Sequence, residues 1–128
     1  MRKSLPLVLV AILAAPALAA DMPGLPTRVG QCARTTIAQV SERLGDASGP
    51  VAGSGSAVAL ANGGYQVSYE QVPAIDHSHK GDPARLCLVS LPANCPPGDA
   101  RGKIYKTTNL RTHGSWTLPD SQHSCGGA

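Results

Sequence analysis

LCLVSLPANCPPGDARGKIYKTTNLRTHGSWTLPDSQHSC, Leu86 to Cys125, holds three of the four cysteines, the only tryptophan and two of the four histidines. Its rhythm is that of β structure, with short apolar runs separated by turn residues. Ala84–Leu91 (ARLCLVSL) is nearly continuous apolar sequence, as expected of a central strand. Pro92–Asp99 is a long turn built on Pro-Pro-Gly-Asp. Arg101–Thr108 is the next strand, and Ser115–Leu118 returns with Trp116. The stretch therefore predicts a three-stranded meander stapled at one end.

The staple follows from the direction of the strands. In a meander the first and third strands run parallel, so the Pro92–Asp99 turn and the exit after Leu118 lie at the same end of the sheet. Cys95 is in that turn and Cys125 is just past that exit. Four cysteines allow three pairings. Joining Cys87 to Cys95 would require an extended chain to fold straight back. A bridge needs Cα atoms within about 7 Å, whereas seven or eight extended residues span more than about 20 Å. The expected bridges are Cys95–Cys125 and, by elimination, Cys32–Cys87. Closing the 95–125 loop adds roughly 3–4 kcal/mol in the chain-entropy model, a large share of a small domain's stability. Zinc ligation by the cysteines is the competing reading, but their spacing contains no close pair.

Upstream, Asn62-Gly63 between Ala57–Ala61 and Gly64–Val72 predicts a two-residue hairpin turn, in which both central residues take positive φ. Tyr65, Val67 and Tyr69 alternate with Gln66, Ser68 and Glu70, so the first set is expected inward and the second outward. Gly45–Ser56 (GDASGPVAGSGS) reads as a flexible loop. A phosphate-cradling role would require a helix and a lysine after it, and neither follows. Cys32–Leu44 is ambiguous. Ile37, Val40 and Leu44 fall at helical spacing, but Thr35, Thr36, Ile37 and Val40 are β-branched and no capping residue precedes them. A long strand with a bulge near Gln39 is expected, with a helix as the alternative. Residues 21–31 carry two Pro and two Gly and read as an extended lead-in.

Met1-Arg2-Lys3, an apolar run over Leu5–Ala15 and the small-x-small exit Ala17-Leu18-Ala19 describe a secretory signal peptide over residues 1–19. The run is shorter than the roughly 20 residues of a transmembrane helix. Residues 20–128 then form one domain, starting near Ala20 or Asp21. Removing Arg2 and Lys3 from the 11 basic residues leaves 9 against 8 acidic ones, net +1. So balanced a surface gives no reason to expect nucleic acid as partner, and the exported chain is expected to be a monomer with no cofactor. It has no Phe and four aromatics, Tyr65, Tyr69, Tyr105 and Trp116, so the core must rest on aliphatic residues, with disulfides supplying the balance. The fold class is mainly β: a small antiparallel sandwich or open barrel of five to six strands stapled by two disulfides.

The runs NLRTHGSWTLPDSQHSCGGA, NGGYQVSYE and RLCLVSLPANCPPGD resemble a group of small exported bacterial proteins with no assigned activity. The resemblance covers most of residues 20–128. It implies a bacterial source and a periplasmic location, and it carries no catalytic residue.

Three constellations could carry chemistry. His77 and His79, with Asp76 beside them, would place two imidazoles on one side of an extended segment, half of a zinc or copper site. Asp120, Ser121 and His123 have the residue types of a hydrolytic triad, but no nucleophile elbow surrounds any serine, and turn formation is the simpler reading. Arg101, Lys103, Lys106 and Arg111, near Trp116, make a basic strand and turn suited to an acidic envelope component or protein; Arg101 and Lys103 share a face if that segment is a strand. Two function classes follow: a binding module of the cell envelope, or a metal-dependent enzyme or metal carrier built on His77 and His79.

Overall fold

The computed structural model describes residues 2–14 and 21–127. The Ala17-Leu18-Ala19 exit of the signal sequence lies outside the described residues. Residues 2–14 form no helix or strand, and their apolar side chains are exposed. No helix among the described residues is long and apolar enough to cross a membrane.

Six strands form one antiparallel sheet: β1 (Cys32–Glu42), β4 (Ser56–Leu60), β5 (Tyr65–Val67), β6 (Pro83–Ser90), β7 (Ile104–Asn109) and β8 (Ser115–Pro119). Their spatial order is β5-β4-β1-β6-β7-β8. A small separate ribbon is made by β2 (Gly45–Asp46) and β3 (Gly49–Pro50), and α1 (Pro73–Asp76) is a single helical turn begun by proline. The sheet curls into a half-barrel, the open-barrel form of the expected class.

The curl originates in two register shifts. One falls between Ile37 and Gln39 of β1, where the strand stops pairing with β6 and pairs with β4. The other falls between Leu88 and Ser90 of β6, opposite Tyr105 and Ile104. A bulge adds a residue on one side of a ladder, which bends the strand and increases its twist. The β-branched composition of β1 prevailed over its helical spacing, and the bulge sits next to Gln39. The concave side collects Ile37, Val58, Leu60, Leu86, Leu88, Tyr105 and Trp116, with Ile75 of α1 packed against them. β6 lies between β1 and β7 as a central strand must, yet it alternates: Ala84, Leu86 and Leu88 are buried, while Val89 and Leu91 are largely exposed.

Both bridges are formed. Cys32 and Cys87 face each other across β1 and β6 with Cα atoms 4.0 Å apart. Leu88 N–H donates to the Gln31 carbonyl and Gly30 N–H donates to that of Leu88. The next pair along is therefore a non-hydrogen-bonded one, where opposed Cα atoms approach most closely, and this brings the two cysteines within bridging reach. Cys95 and Cys125 join the long turn to the C-terminal exit, Cα atoms 5.3 Å apart. The lead-in is fastened as well. Met22 bridges Ala33 in parallel, and Asp21 binds Arg85 (2.9 and 3.2 Å) and Arg34 (3.3 Å), which lie on β6 and β1.

Three local expectations are corrected. Asn62-Gly63 is not a two-residue turn with both φ positive. Gly63 N–H donates to Leu60 O and Leu60 N–H to Gly64 O, with Gly63 alone at φ +90°. That is a three-residue loop, in which a turn is followed by one left-handed residue, and Asn62 instead uses its side-chain oxygen to cap Gly64 N–H. The Gly45–Ser56 segment is pinned rather than free. Arg43 N–H donates to Gly55 O (2.8 Å), Leu44 N–H to Ser54 Oγ (3.0 Å), and Asp46 makes an Asx turn with Ser48. Gly55, at φ +121°, lies so close to β5 that a Cβ there would stand 2.0 Å from the Ser68 carbonyl oxygen. Finally, the alternation expected over Tyr65–Glu70 holds only in part. Val67 is buried as expected, but Gln66 is fully buried as well, and Tyr65 and Tyr69 are 38% and 55% exposed.

Candidate binding surfaces

The inward turn of Gln66 is what closes the half-barrel. β5 and β8 are the two ends of the sheet, and the Gln66 amide spans them. Its nitrogen donates to Tyr105 O (2.7 Å) on β7 and Leu118 O (3.1 Å) on β8. Its oxygen accepts from Trp116 Nε1 (2.9 Å) and from the Thr107 hydroxyl. All four hydrogen-bonding positions of the amide are used, which is what makes complete burial of a polar side chain tolerable. Trp116, expected as a contact residue, is 5% exposed and belongs to this closure.

With Gln66 inward, the tyrosines of this segment face out. The Arg43 guanidinium stands 4.3 Å from the centre of the Tyr69 ring. It also donates to Ser54 O (2.7 Å) and Gln122 Oε1 (2.8 Å), and Tyr69 Oη donates to Gln122 O (3.1 Å). Four segments far apart in the chain thereby hold one exposed aromatic ring. The sequence had no local signal for this grouping, because a strand with aromatics on one phase and polar residues on the other reads as tyrosine-in.

A second polar centre gathers around Asp82, in the segment between α1 and β6. Asp82, almost fully buried, accepts from Arg111 Nε (2.6 Å) and the second Arg111 nitrogen (3.0 Å), from Asn109 Nδ2 (2.9 Å) and from His79 N–H (2.8 Å). Asn109 also donates to Ser78 Oγ (2.9 Å) and accepts from the N–H groups of Arg111 and Thr112. The hydrogen-bonded Arg111 guanidinium above all, then the His79 amide and Asn109, holds the Asp82 carboxyl well below the usual carboxylate range. This hub ties the segment after α1 to the β7–β8 turn.

The hub also corrects the histidine constellation. Asp76 ends a helical turn and His77 has right-handed helical φ and ψ, so the segment is not extended and the alternation that would align the two imidazoles is absent. Asp76 accepts from Ser56 Oγ (2.7 Å), and His79 Nδ1 lies 3.2 Å from an Arg111 nitrogen. Among the described residues no three His, Cys, Asp or Glu side chains gather as metal ligands.

The basic row does not assemble either. The strand begins at Ile104, so Arg101 and Lys103 lie before it and share no strand face. Arg101 forms a two-point pair with Asp99 (2.9 Å for each bond) and donates to Gly127 O (3.1 Å), while Cys125 N–H donates to Arg101 O (2.8 Å). It fastens the Cys125–Gly127 segment beside the Cys95–Cys125 bridge and holds Asp99 far below the usual carboxylate range. Arg111 belongs to the Asp82 hub at the other end of β7. Lys103 borders a small cavity near the β4–β5 turn. As for the Asp120, Ser121, His123 group, Ser121 Oγ donates to the backbone carbonyl of His123 (2.7 Å) and Asp120 accepts from Gly102 N–H (2.8 Å), which is turn chemistry without a nucleophile–base contact.

No family model matches this chain, and no significant match emerged among curated proteins or solved structures.

Proposed function

We propose that the chain is an exported bacterial protein, periplasmic or secreted, that works by binding a protein of the cell envelope, as a monomeric β module. The observation that carries this reading is the exposed Tyr69 ring held in place by Arg43 and Gln122. Tyrosine and arginine are the residue types that contribute most to protein interfaces, and a ring already ordered in the free protein loses little entropy on binding. Two disulfides fit an oxidising compartment, and the charged start, apolar run and small-residue exit support export.

The test starts with protein recovered from the periplasm, whose intact mass should correspond to a chain beginning near Ala20. Partners captured on that protein from envelope extract should be lost with Tyr69→Ala and reduced with Arg43→Ala, while thermal stability stays near that of the parent. Retention of the same partners by Tyr69→Ala would remove this surface from consideration. Stoichiometric zinc in the purified protein, lost on replacing His77 and His79, would favour a metal-binding role instead.

A further inference from the structure

At the mouth of the half-barrel, between the β4–β5 turn and the start of β7, lies a cavity of about 120 Å³ bordered by Leu25, Tyr65, Lys103, Tyr105 and Asp120. An apolar cavity of about 150 Å³ holds benzene, so this volume suits a ligand of roughly five to seven heavy atoms. We propose that it binds a small zwitterion, an ammonium and a carboxylate on a short carbon skeleton, the chemistry of an α-amino acid with a small side chain.

Three features carry this. Tyr105 is 3% exposed, yet its hydroxyl bonds to no described residue; nor is it among the sealed polar atoms without a partner, which are limited to Asn62 Nδ2. A phenol so deeply placed, on a residue that lines the void, is a hydrogen-bond donor waiting for an acceptor. Lys103 and Asp120 border the same void with opposite charges, and neither belongs to an ion pair among the described residues. Asp120 Oδ1 is fixed by Gly102 N–H, which leaves its other oxygen for a ligand's ammonium group. The Lys103 ammonium and the Tyr105 hydroxyl then supply the two donors that a carboxylate takes up. Burial, and secondarily the Asp120 charge, pushes the Tyr105 hydroxyl pKa up, so the group stays protonated and able to donate at neutral pH. Leu25 and the Tyr65 ring give the short skeleton an apolar wall. The inference is independent of the Tyr69–Arg43 surface, and either can fail without the other.

The experiment is a titration of the oxidised protein, followed by backbone amide NMR, with glycine, alanine, serine, acetate and methylammonium as separate probes. Alanine should shift the amides of Gly63, Gly64, Lys103 and Asp120 saturably, at least tenfold more tightly than acetate or methylammonium. Tyr105→Phe keeps the ring in the core and should lower the alanine affinity about tenfold, and Lys103→Met, at a partly exposed position, should do the same. The proposal is overturned if no amino acid gives a saturable shift, if acetate binds as tightly as alanine, or if both variants bind alanine like the parent.

Discussion

The half-barrel is held at two seams of different kinds. At the β1–β6 seam, two strands already paired along their backbones are also joined covalently by Cys32–Cys87. At the opposite seam, where β5 approaches β7 and β8, the side chain of Gln66 spans the gap. The first seam is strengthened mainly through the unfolded chain, whose freedom the bridge restricts. The second exists only in the folded state, where one amide replaces four separate contacts with water. A thin aliphatic core can be closed in either currency, and this fold uses both.

The largest expected effect comes from the covalent seam. Cys32→Ser with Cys87→Ser should cost about 4 kcal/mol by the chain-entropy model, given the 55-residue separation of the pair. Denaturant midpoints of the oxidised parent and the double variant measure it. A loss below about 1 kcal/mol would mean that backbone pairing alone holds this seam.

The polar seam comes next. Gln66→Leu leaves the Trp116 indole N–H, the Thr107 hydroxyl and two carbonyls without their partner, and should cost about 3 kcal/mol. It should also redden the Trp116 fluorescence as the mouth loosens. A variant as stable as the parent would show that the sheet ends need no bridge, and would end the comparison.

The smallest effect is set by pH and belongs to the Asp82 hub. The Asp82 carboxyl titrates below its unfolded value of 3.8 because Arg111 and its other donors favour the charged form. A depressed folded pKa adds stability that is complete above the unfolded value and disappears as the pH falls from there through the folded one. Denaturant midpoints should therefore fall between roughly pH 5 and pH 2, and Asp82→Asn should flatten part of that slope. Asp21 and Asp99, depressed by arginine partners, and Asp46, depressed by its hydrogen bonds from Ser48, contribute to the remainder. An unchanged acid slope in Asp82→Asn would place the hub's contribution elsewhere.

The covalent seam was legible in the residues and the polar seam was not, for a physical reason. Cysteines in a chain read as exported have few alternatives, the reach of an extended strand eliminates Cys87–Cys95, and the direction of the meander brings Cys95 to Cys125. The bulge near Gln39 and the C-terminal meander follow from β-branched composition and turn residues in the same way. The inward turn of Gln66 is a different matter: a tyrosine can be inside or outside, and only the long-range partners of Gln66, on strands some forty to fifty residues later, draw the amide in and leave Tyr65 out. The candidate sites failed on the same kind of information. Arg101, Arg111 and Trp116 look available in a linear reading because Asp99, Asp82 and Gln66 are not visibly assigned to them. His77 and His79 looked aligned because a four-residue helical turn starting at Pro73 is too short to announce itself.

The two bridges are also consecutive in the chain, Cys32 with Cys87 and Cys95 with Cys125, with no interleaving. On the proposed export route the chain crosses the membrane N-terminus first, so Cys32 and Cys87 reach the oxidising side before either partner of the second bridge. Joining cysteines in their order of arrival on that route would yield the native connectivity, leaving no mispairing for a disulfide isomerase to correct.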